Sequence, residues 1–509
     1  MSESPSSPRD HEKSQPVTET HSLKGGEAPE TSLVNILVVV TACLGGFLYG
    51  FAANSLSGSL SQTTFIEKFL STEDATSRQD GMLGGFLGGA LVGAVLQAPL
   101  ANKFGRRIAN AAAAVIVIIS GALQAGAVDA TMFIVGRVIC GIGSGMVFTN
   151  TPVYMSEVSP PHTRGMLVGL HGVGTVAAYI LAAVCALAFS FVTTQIQWRL
   201  IFIVLTAVSG VYLVTLYFIP ESPRWLMQQG RDSEAKGVLQ YLHRTKKDPR
   251  AAFAHAEAVQ IKAQVVEEKD TPSGYLYILR TPSHRKRALN SILLWVMGQG
   301  TGITAIANLI PVLMGSLGFD TTMQLGLGVV WTVCAVIGCA INVYLLDRIG
   351  RVKLLVIGGF GSAALLSIMA ALQKYYLNTT YAPGVNTAVA MYFLFGAFFT
   401  STIECTAYVY SSEIWPTHLR SEGSTIAFAS FFGNAVAYSA PVTLGLTNIG
   451  WKFYMIFVSV TVASTIVIMF YFPETMGVSL EEINAKFGDK VEMEFQDALD
   501  VDDTSSQGT

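Results

Sequence analysis

Apolar residues in this chain gather into long runs separated by short polar turns. Twelve such runs can be marked, at residues 33–56, 81–100, 108–127, 132–154, 166–191, 198–219, 288–314, 325–346, 353–372, 388–410, 424–446 and 451–472. Each is close to the roughly 20 residues a helix needs to cross the hydrocarbon core of a bilayer. The pattern predicts an all-α membrane protein with twelve transmembrane helices, whose first partner is the lipid bilayer. A polar stretch from Pro220-Glu221-Ser222-Pro223-Arg224-Trp225 to His284-Arg285-Lys286-Arg287 divides the runs six and six. The chain is therefore expected to comprise a disordered N-terminal tail (1–31), a first six-helix bundle (32–219), a central loop (220–287), a second bundle (288–472) and a polar, acidic tail (473–509). Within the loop, apolar residues at helical spacing predict short helices over 233–242 and 253–268.

The two halves repeat one another. Glu157 and Arg164 in Ser-Glu-Val-Ser-Pro-Pro-His-Thr-Arg-Gly are matched by Glu413 and Arg420 in Ser-Glu-Ile-Trp-Pro-Thr-His-Leu-Arg-Ser, with the same seven-residue spacing. In the second run, Gly81, Gly85, Gly89 and Gly93 recur every four residues, a small-residue stripe suited to close helix packing. Basic residues fall on one side if twelve spans alternate: Lys103, Arg106, Arg107, Arg164, the loop cluster, Arg348, Arg351, Lys353 and Arg420. The positive-inside rule then puts both termini and the central loop in the cytoplasm. That topology places the acceptor sequon at Asn378 outside, as a glycosylation candidate.

Composition sharpens this reading. Of 509 residues, 51% are hydrophobic and only 13% charged, half the charged fraction of about 25% usual in soluble proteins. The net charge of -3 argues for no nucleic-acid partner. The six cysteines all lie in apolar runs without metal-ligand spacing and read as packing residues. With no nucleophile constellation, metal cluster or phosphate-cradling glycine loop, the sequence argues against an enzyme or an ATP-driven pump, and no cofactor is expected.

Taken together, several motifs resemble the sugar porters of the major facilitator superfamily. They are Gly105-Arg106-Arg107 and Asp347-Arg348-Ile349-Gly350-Arg351, Arg137 with Gly141 and Gly145, the two Glu-to-Arg segments, Pro220-Glu221-Ser222-Pro223-Arg224-Trp225-Leu226 and Pro473-Glu474-Thr475. The resemblance implies two pseudo-symmetric six-helix bundles that rock about a substrate near the midplane. It also implies a plasma-membrane location. Ion pairs among Arg106, Glu157, Arg164, Arg348, Glu413 and Arg420 are expected to hold the two halves together at the cytoplasmic ends. Exposed pairs contribute only about 0 to 1 kcal/mol each, yet a network need only bias states a few kcal/mol apart.

The substrate positions implied by the family are only partly kept. Span seven reads Gly298-Gln299-Gly300-Thr301-Gly302-Ile303-Thr304, so Gln299 survives and Thr304 replaces an asparagine, with Asn308 a turn further on. Asn434 is kept in span eleven, Trp331 replaces an asparagine in span eight, and His171 stands beside Gly172, where a glutamine is usual. Gln299, Thr304, Asn308, Tyr408 and Asn434 still offer the donors and acceptors a polyhydroxylated molecule requires. His171 reads either as a substrate contact or as a packing residue.

Two departures concern energy coupling. Proton-coupled relatives carry an aspartate in span one opposite the span-four arginine; here that position is Ala52, and Arg137 loses the partner. Span ten instead carries Glu404, where glycine is usual, with Thr400, Glu404 and Tyr408 four apart on one face. A carboxylate inside a span is a candidate for substrate binding or proton coupling unless it merely bonds to a neighbouring helix. The expected function is transport of a sugar or similar small molecule, uniport being favoured over proton symport. Rival readings are a carrier of carboxylated metabolites, an exporter of natural products and a non-transporting nutrient sensor.

Overall fold

The computed structural model describes residues 32–160, 164–244, 274–316, 318–376, 382–416 and 419–476, isolated loop residues (254, 258, 261, 262, 265, 266), and residues 483 and 486–488 of the tail. The side chains of Arg164 and Asp347 and the whole Asn378 sequon lie outside the described residues.

The first six spans are the helices Leu33–Ser59, Ala75–Phe104, Arg106–Ala125, Ala130–Val158, Arg164–Ser190 and Gln197–Thr215. Spans eight and nine are Thr321–Ile349 and Arg351–Tyr376, and spans eleven and twelve are Arg420–Ser439 and Phe453–Tyr471. Spans seven and ten are interrupted. Span seven runs Pro282–Gly300, breaks at Thr301 and Gly302, and resumes as Ile303–Ser316. Gly302, at φ +74°, backs onto the Phe457 ring, so the break leaves no room for a side chain there. Span ten runs Ala382–Phe399, widens into a π-helical turn at Thr400–Glu404 and continues as Cys405–Glu413. Span seven starts six residues before the predicted loop boundary, because His284 to Arg287 are helical and Arg287 is buried beneath the Phe487 ring.

The glycine stripe packs as its spacing predicts. Gly89 and Gly93 lie against the carbonyls of Val138 and Ile142 in span four, where any Cβ would collide with backbone. Span four answers with Gly141 and Gly145, which face Phe86 and Ala90 of span two. Such small-residue contacts let helices approach where lipid provides no hydrophobic drive for their association. Across the two bundles, span two packs on span eleven and span five on span eight.

The pseudo-symmetry extends to atoms at the loop-bearing face. Gly105 (φ 96°) and Gly350 (φ 99°) break the chain between spans two and three and between spans eight and nine. Each following helix begins with an arginine and is capped by a distant carboxylate. Glu221 accepts from the N–H groups of Arg106 and Arg107, and Glu474 from those of Arg351 and Val352. Both carboxylates satisfy donors that the first turn of a helix leaves without an intrahelical partner.

The central loop forms helices Pro223–Gln228 and Asp232–His243, the second covering the predicted 233–242 segment. Ala254, Ala258 and Ile261 join Trp225, Leu226 and Leu239 in a small apolar cluster beneath the first bundle. Lys262, Val265 and Val266 are helical as well, and the remainder of the expected 253–268 helix lies outside the described residues.

Candidate functional site

Among the described residues, at least two cavities lie between the bundles. The central one, of about 100 Å³, is walled by spans one, two, four and five on one side and seven, eight, ten and eleven on the other. This is below the several hundred Å³ usual for ligand sites. The second, of about 290 Å³, lies nearer the loop-bearing face, among spans four, five, ten and eleven.

Of the substrate positions expected from sequence, Gln299, Thr304, Asn308, Trp331, Glu404 and Tyr408 all line the central cavity. The break in span seven explains the first three. It turns both helix halves toward the cavity, and Thr304 Oγ1 donates to Gln299 Oε1 at 2.6 Å across it. Trp331 lies flat over Gly396 of span ten, the residue there having no side chain to hold it off, and it fills space that a smaller side chain would leave open. Asn434 and His171 do not join this group. The Asn434 amide donates to the Ser430 carbonyl (2.8 Å) and hydroxyl (3.1 Å) on its own helix, and Asn434 lines neither cavity. His171 is buried against Gly46 and the Phe148 ring and lines the loop-side cavity.

Glu404 sits at the end of the π-helical turn. Hydroxyls of Thr400, Ser401 and Thr402 donate back to carbonyls of residues 396–398, an alternative to regular backbone pairing that accompanies the wider turn. Such turns are common at functional positions. The Glu404 carboxylate accepts from Tyr408 Oη at 3.1 Å. Opposite it, Arg137 also reaches the central cavity. Its Nη1 donates to the Ala52 carbonyl at 2.9 Å and contacts Ser55 Oγ at 3.4 Å, and its guanidinium lies 4.3 Å from the centre of the Phe86 ring. The backbone at Ala52 thus supplies the acceptor that its side chain lacks.

Aromatic rings separate the two cavities. Phe148 of span four lies 5.3 Å from Phe428, 5.7 Å from Phe431 and 6.0 Å from Tyr408, the last three on spans ten and eleven. Tyr408 lines both cavities, Phe431 only the central one and Phe428 only the loop-side one. The rings therefore form a septum assembled from both bundles, and moving the bundles apart on that side would open it.

The arginine and glutamate positions lie at the loop-bearing face, and among the described residues two arginine–glutamate pairs form there, one within each bundle. Arg106 meets Glu157 at 3.0 Å, and Arg351 meets Glu413 at 3.0 Å. Arg348 instead stacks its guanidinium 4.2 Å over the Tyr344 ring. Arg420 lines the loop-side cavity, as do Arg351 and Glu413.

Sequence reasoning overlooked Arg351, Glu221 and Glu474 as members of this network. The signal was available: Arg106 and Arg351 each directly follow the glycine of the short turn between two spans, and Glu221 and Glu474 each follow the proline that ends a span. It also missed the span-one wall of the central cavity, Tyr49, Ala53 and Ser57. These recur every four residues, the same spacing that brought Thr400, Glu404 and Tyr408 together.

Comparison with known proteins agrees with this architecture. The chain is 32% identical over 453 residues to the MFS-type transporter criB of Aspergillus cristatus, covering 88% of this chain and 92% of that protein. It is 29% identical over 482 residues to a high-affinity glucose transporter of Kluyveromyces lactis, covering 90% and 86%. Its fold matches the proton:xylose symporter XylE bound to 6-bromo-6-deoxy-D-glucose with a TM-score of 0.77, at 24% identity over 90% of this chain and all of that one. That likeness establishes the major facilitator fold. A family model described as sugar (and other) transporter matches residues 38–487, and with two bundles walling a shared cavity the chain belongs to that family of transporters, which are not enzymes.

Proposed function

We propose that this protein carries a sugar or similar polyhydroxylated small molecule across the plasma membrane by alternating access, as a uniporter. The observation that carries this reading is the central cavity itself. It is walled by both bundles, lined by the amide and hydroxyl groups of Gln299, Thr304 and Asn308, and closed toward the loop face by rings from both halves. Such groups both donate and accept, as a sugar's hydroxyls require. The glucose transporter of Kluyveromyces lactis among the relatives supports a sugar-like substrate.

The surroundings of Arg137, one of the two coupling candidates with Glu404, support the uniport reading. A proton symporter needs a group whose proton affinity changes as the cavity alternates, and the acceptor held by Arg137 is the Ala52 carbonyl, which does not titrate. The distribution of basic residues supports a cytoplasmic loop face and cytoplasmic termini. On this reading Arg164 and Arg420 help to close the loop face, and the loop-side cavity is the vestibule through which substrate leaves or enters.

Reconstituted vesicles provide the test. Labelled hexoses should equilibrate down their gradient, saturably, and an imposed pH gradient should not drive accumulation above equilibrium. Accumulation driven by the pH gradient would overturn uniport. Failure of every sugar and polyol in a panel to enter would overturn the substrate class.

A further inference from the structure

Glu404 is the carboxylate on the wall of the central cavity, and among the described residues no lysine, arginine or histidine forms an ion pair with it. Its protein partner is the Tyr408 hydroxyl, a single donor for a group with room for about four hydrogen bonds. The cation sharing the cavity, Arg137, is directed elsewhere, toward the Ala52 carbonyl and Ser55 in the first bundle, and is covered by the Phe86 ring. Aromatic side chains contribute to the same wall, among them Tyr49, Tyr179, Trp331 and Phe431. A carboxylate that shares a cavity wall with aromatic rings and forms no ion pair among the described residues has the chemistry that receives an organic cation. The carboxylate supplies charge-assisted hydrogen bonds, and the rings attract the cation through their quadrupoles.

We propose that Glu404 is the counter-ion for a protonated amine of the transported molecule, so that the cavity takes an amine-bearing polyhydroxylated substrate, such as an amino sugar or a hydroxylated amine. This rests on the transport reading above and names its substrate class. Gln299, Thr304 and Asn308, on the broken seventh span, meet the hydroxyls, while the amine turns toward the π-helical turn of span ten. Arg137 disfavours a second positive charge at the opposite end, so the site takes one amine and not a diamine. The same arrangement explains how a carboxylate is tolerated at a position inside a span: the substrate neutralises it in the loaded state, and water reaching the cavity solvates it in the empty one.

The experiment compares uptake of D-glucosamine, N-acetyl-D-glucosamine and D-glucose into vesicles containing the wild-type protein, at a pH where the free amine is protonated. Half-saturation for D-glucosamine is expected at a concentration about tenfold below that for either neutral sugar, as one charge-assisted contact implies. In Glu404→Gln the ratio between amine and N-acetyl sugar should fall to about one. A second measurement needs only the wild type: N-methyl-D-glucamine should compete with D-glucose at roughly tenfold lower concentration than sorbitol, its neutral polyol counterpart. Equal half-saturation for amine and neutral sugars in wild type, or a preference that persists in Glu404→Gln, overturns the counter-ion role. D-glucose uptake without amine preference would do so while leaving the transport reading intact; no uptake of any of the three sugars would sink both.

Discussion

Arg351 and Glu413 meet at 3.0 Å within the second bundle, and Thr475 Oγ1 donates to the other oxygen of the same carboxylate at 2.7 Å. Arg106 and Glu157 repeat the pair in the first bundle, where both side chains are more deeply buried, at 4% and 9% exposure against 11% and 26%. Removing one member of a buried pair leaves an uncompensated charge and typically costs about 3 to 5 kcal/mol, whereas exposed pairs cost far less. Arg106→Ala should therefore lower the thermal midpoint of the purified protein more than Arg351→Ala does. A double-mutant cycle with Glu157→Gln and Glu413→Gln should return the larger coupling in the first bundle. Equal effects would mean that burial at these positions does not set the strength of the pairs.

Glu221, which caps the helix that begins at Arg106, is a largely buried carboxylate. Burial pushes the Glu221 carboxyl above its ordinary value of 4.5, against the hydrogen bonds from Ser222, Arg107 and Arg106 that favour its charged form. A carboxyl whose folded pKa is raised holds its proton longer when folded than when unfolded. Its contribution to stability therefore falls as pH rises from the ordinary carboxylate range through the raised value, and is constant beyond it. Melting temperatures of wild type and Glu221→Gln, followed upward from pH 4.5, should converge or cross in that window, with the wild type losing ground. Parallel curves would assign the pH dependence to other groups.

Much of this protein could be read from its sequence because the bilayer leaves few choices. Backbone polar groups in lipid must be satisfied within the segment, so long apolar runs become helices, and the repeat of Glu157 and Glu413 predicts two related halves. Spacing by four also carried the cavity face of span ten, since Thr400, Glu404 and Tyr408 share a wall even though a π-helical turn intervenes. Harder to read is the choice of partner. Arg348 and Arg351 flank the turn at Gly350, and only the repeat of the Gly105-Arg106 step singles out Arg351, the one that meets Glu413, while Arg348 stacks on Tyr344. Asn434 has the right chemistry for a sugar, but Ser430 one turn earlier takes its amide, a local competition that position alone does not reveal.

Trp331 and Gly396 together set the size of the central cavity. The indole of Trp331 occupies the place where any side chain at 396 would begin. Gly396→Ala should drive the indole toward the cavity and reduce uptake of all substrates. Trp331→Ala should admit larger ones, such as disaccharides, while weakening the hold on small ones. The check is the ratio of disaccharide to monosaccharide uptake in vesicles, which should rise in Trp331→Ala and fall in Gly396→Ala. An unchanged ratio in both would remove the indole from the determinants of size.

On the face opposite the loop, Asp80 bridges the two bundles. This residue of span two accepts from the N–H groups of Thr443 and Leu444, both at 3.3 Å, in the first turn of the helix Val442–Ile449 that follows span eleven. Beside it, Gly84 leaves space for Ala440 to pack close. A carboxylate at a helix N-terminus satisfies donors that have no intrahelical partner and meets the positive end of the helix dipole, a contribution of about 0.3 to 1 kcal/mol. Because the carboxylate and the helix belong to opposite bundles, that energy is present only while this face is closed. Losing it should shift the balance between closed and open states by up to about fivefold. A single cysteine at Ser57, on the central cavity wall, reports the shift in a protein otherwise lacking cysteine. Labelling by a membrane-impermeant maleimide from the face opposite the loop should quicken about fivefold in Asp80→Ala and less in Asp80→Asn, which keeps one acceptor oxygen. Identical labelling rates in all three would mean that the closed face is held by helix packing alone.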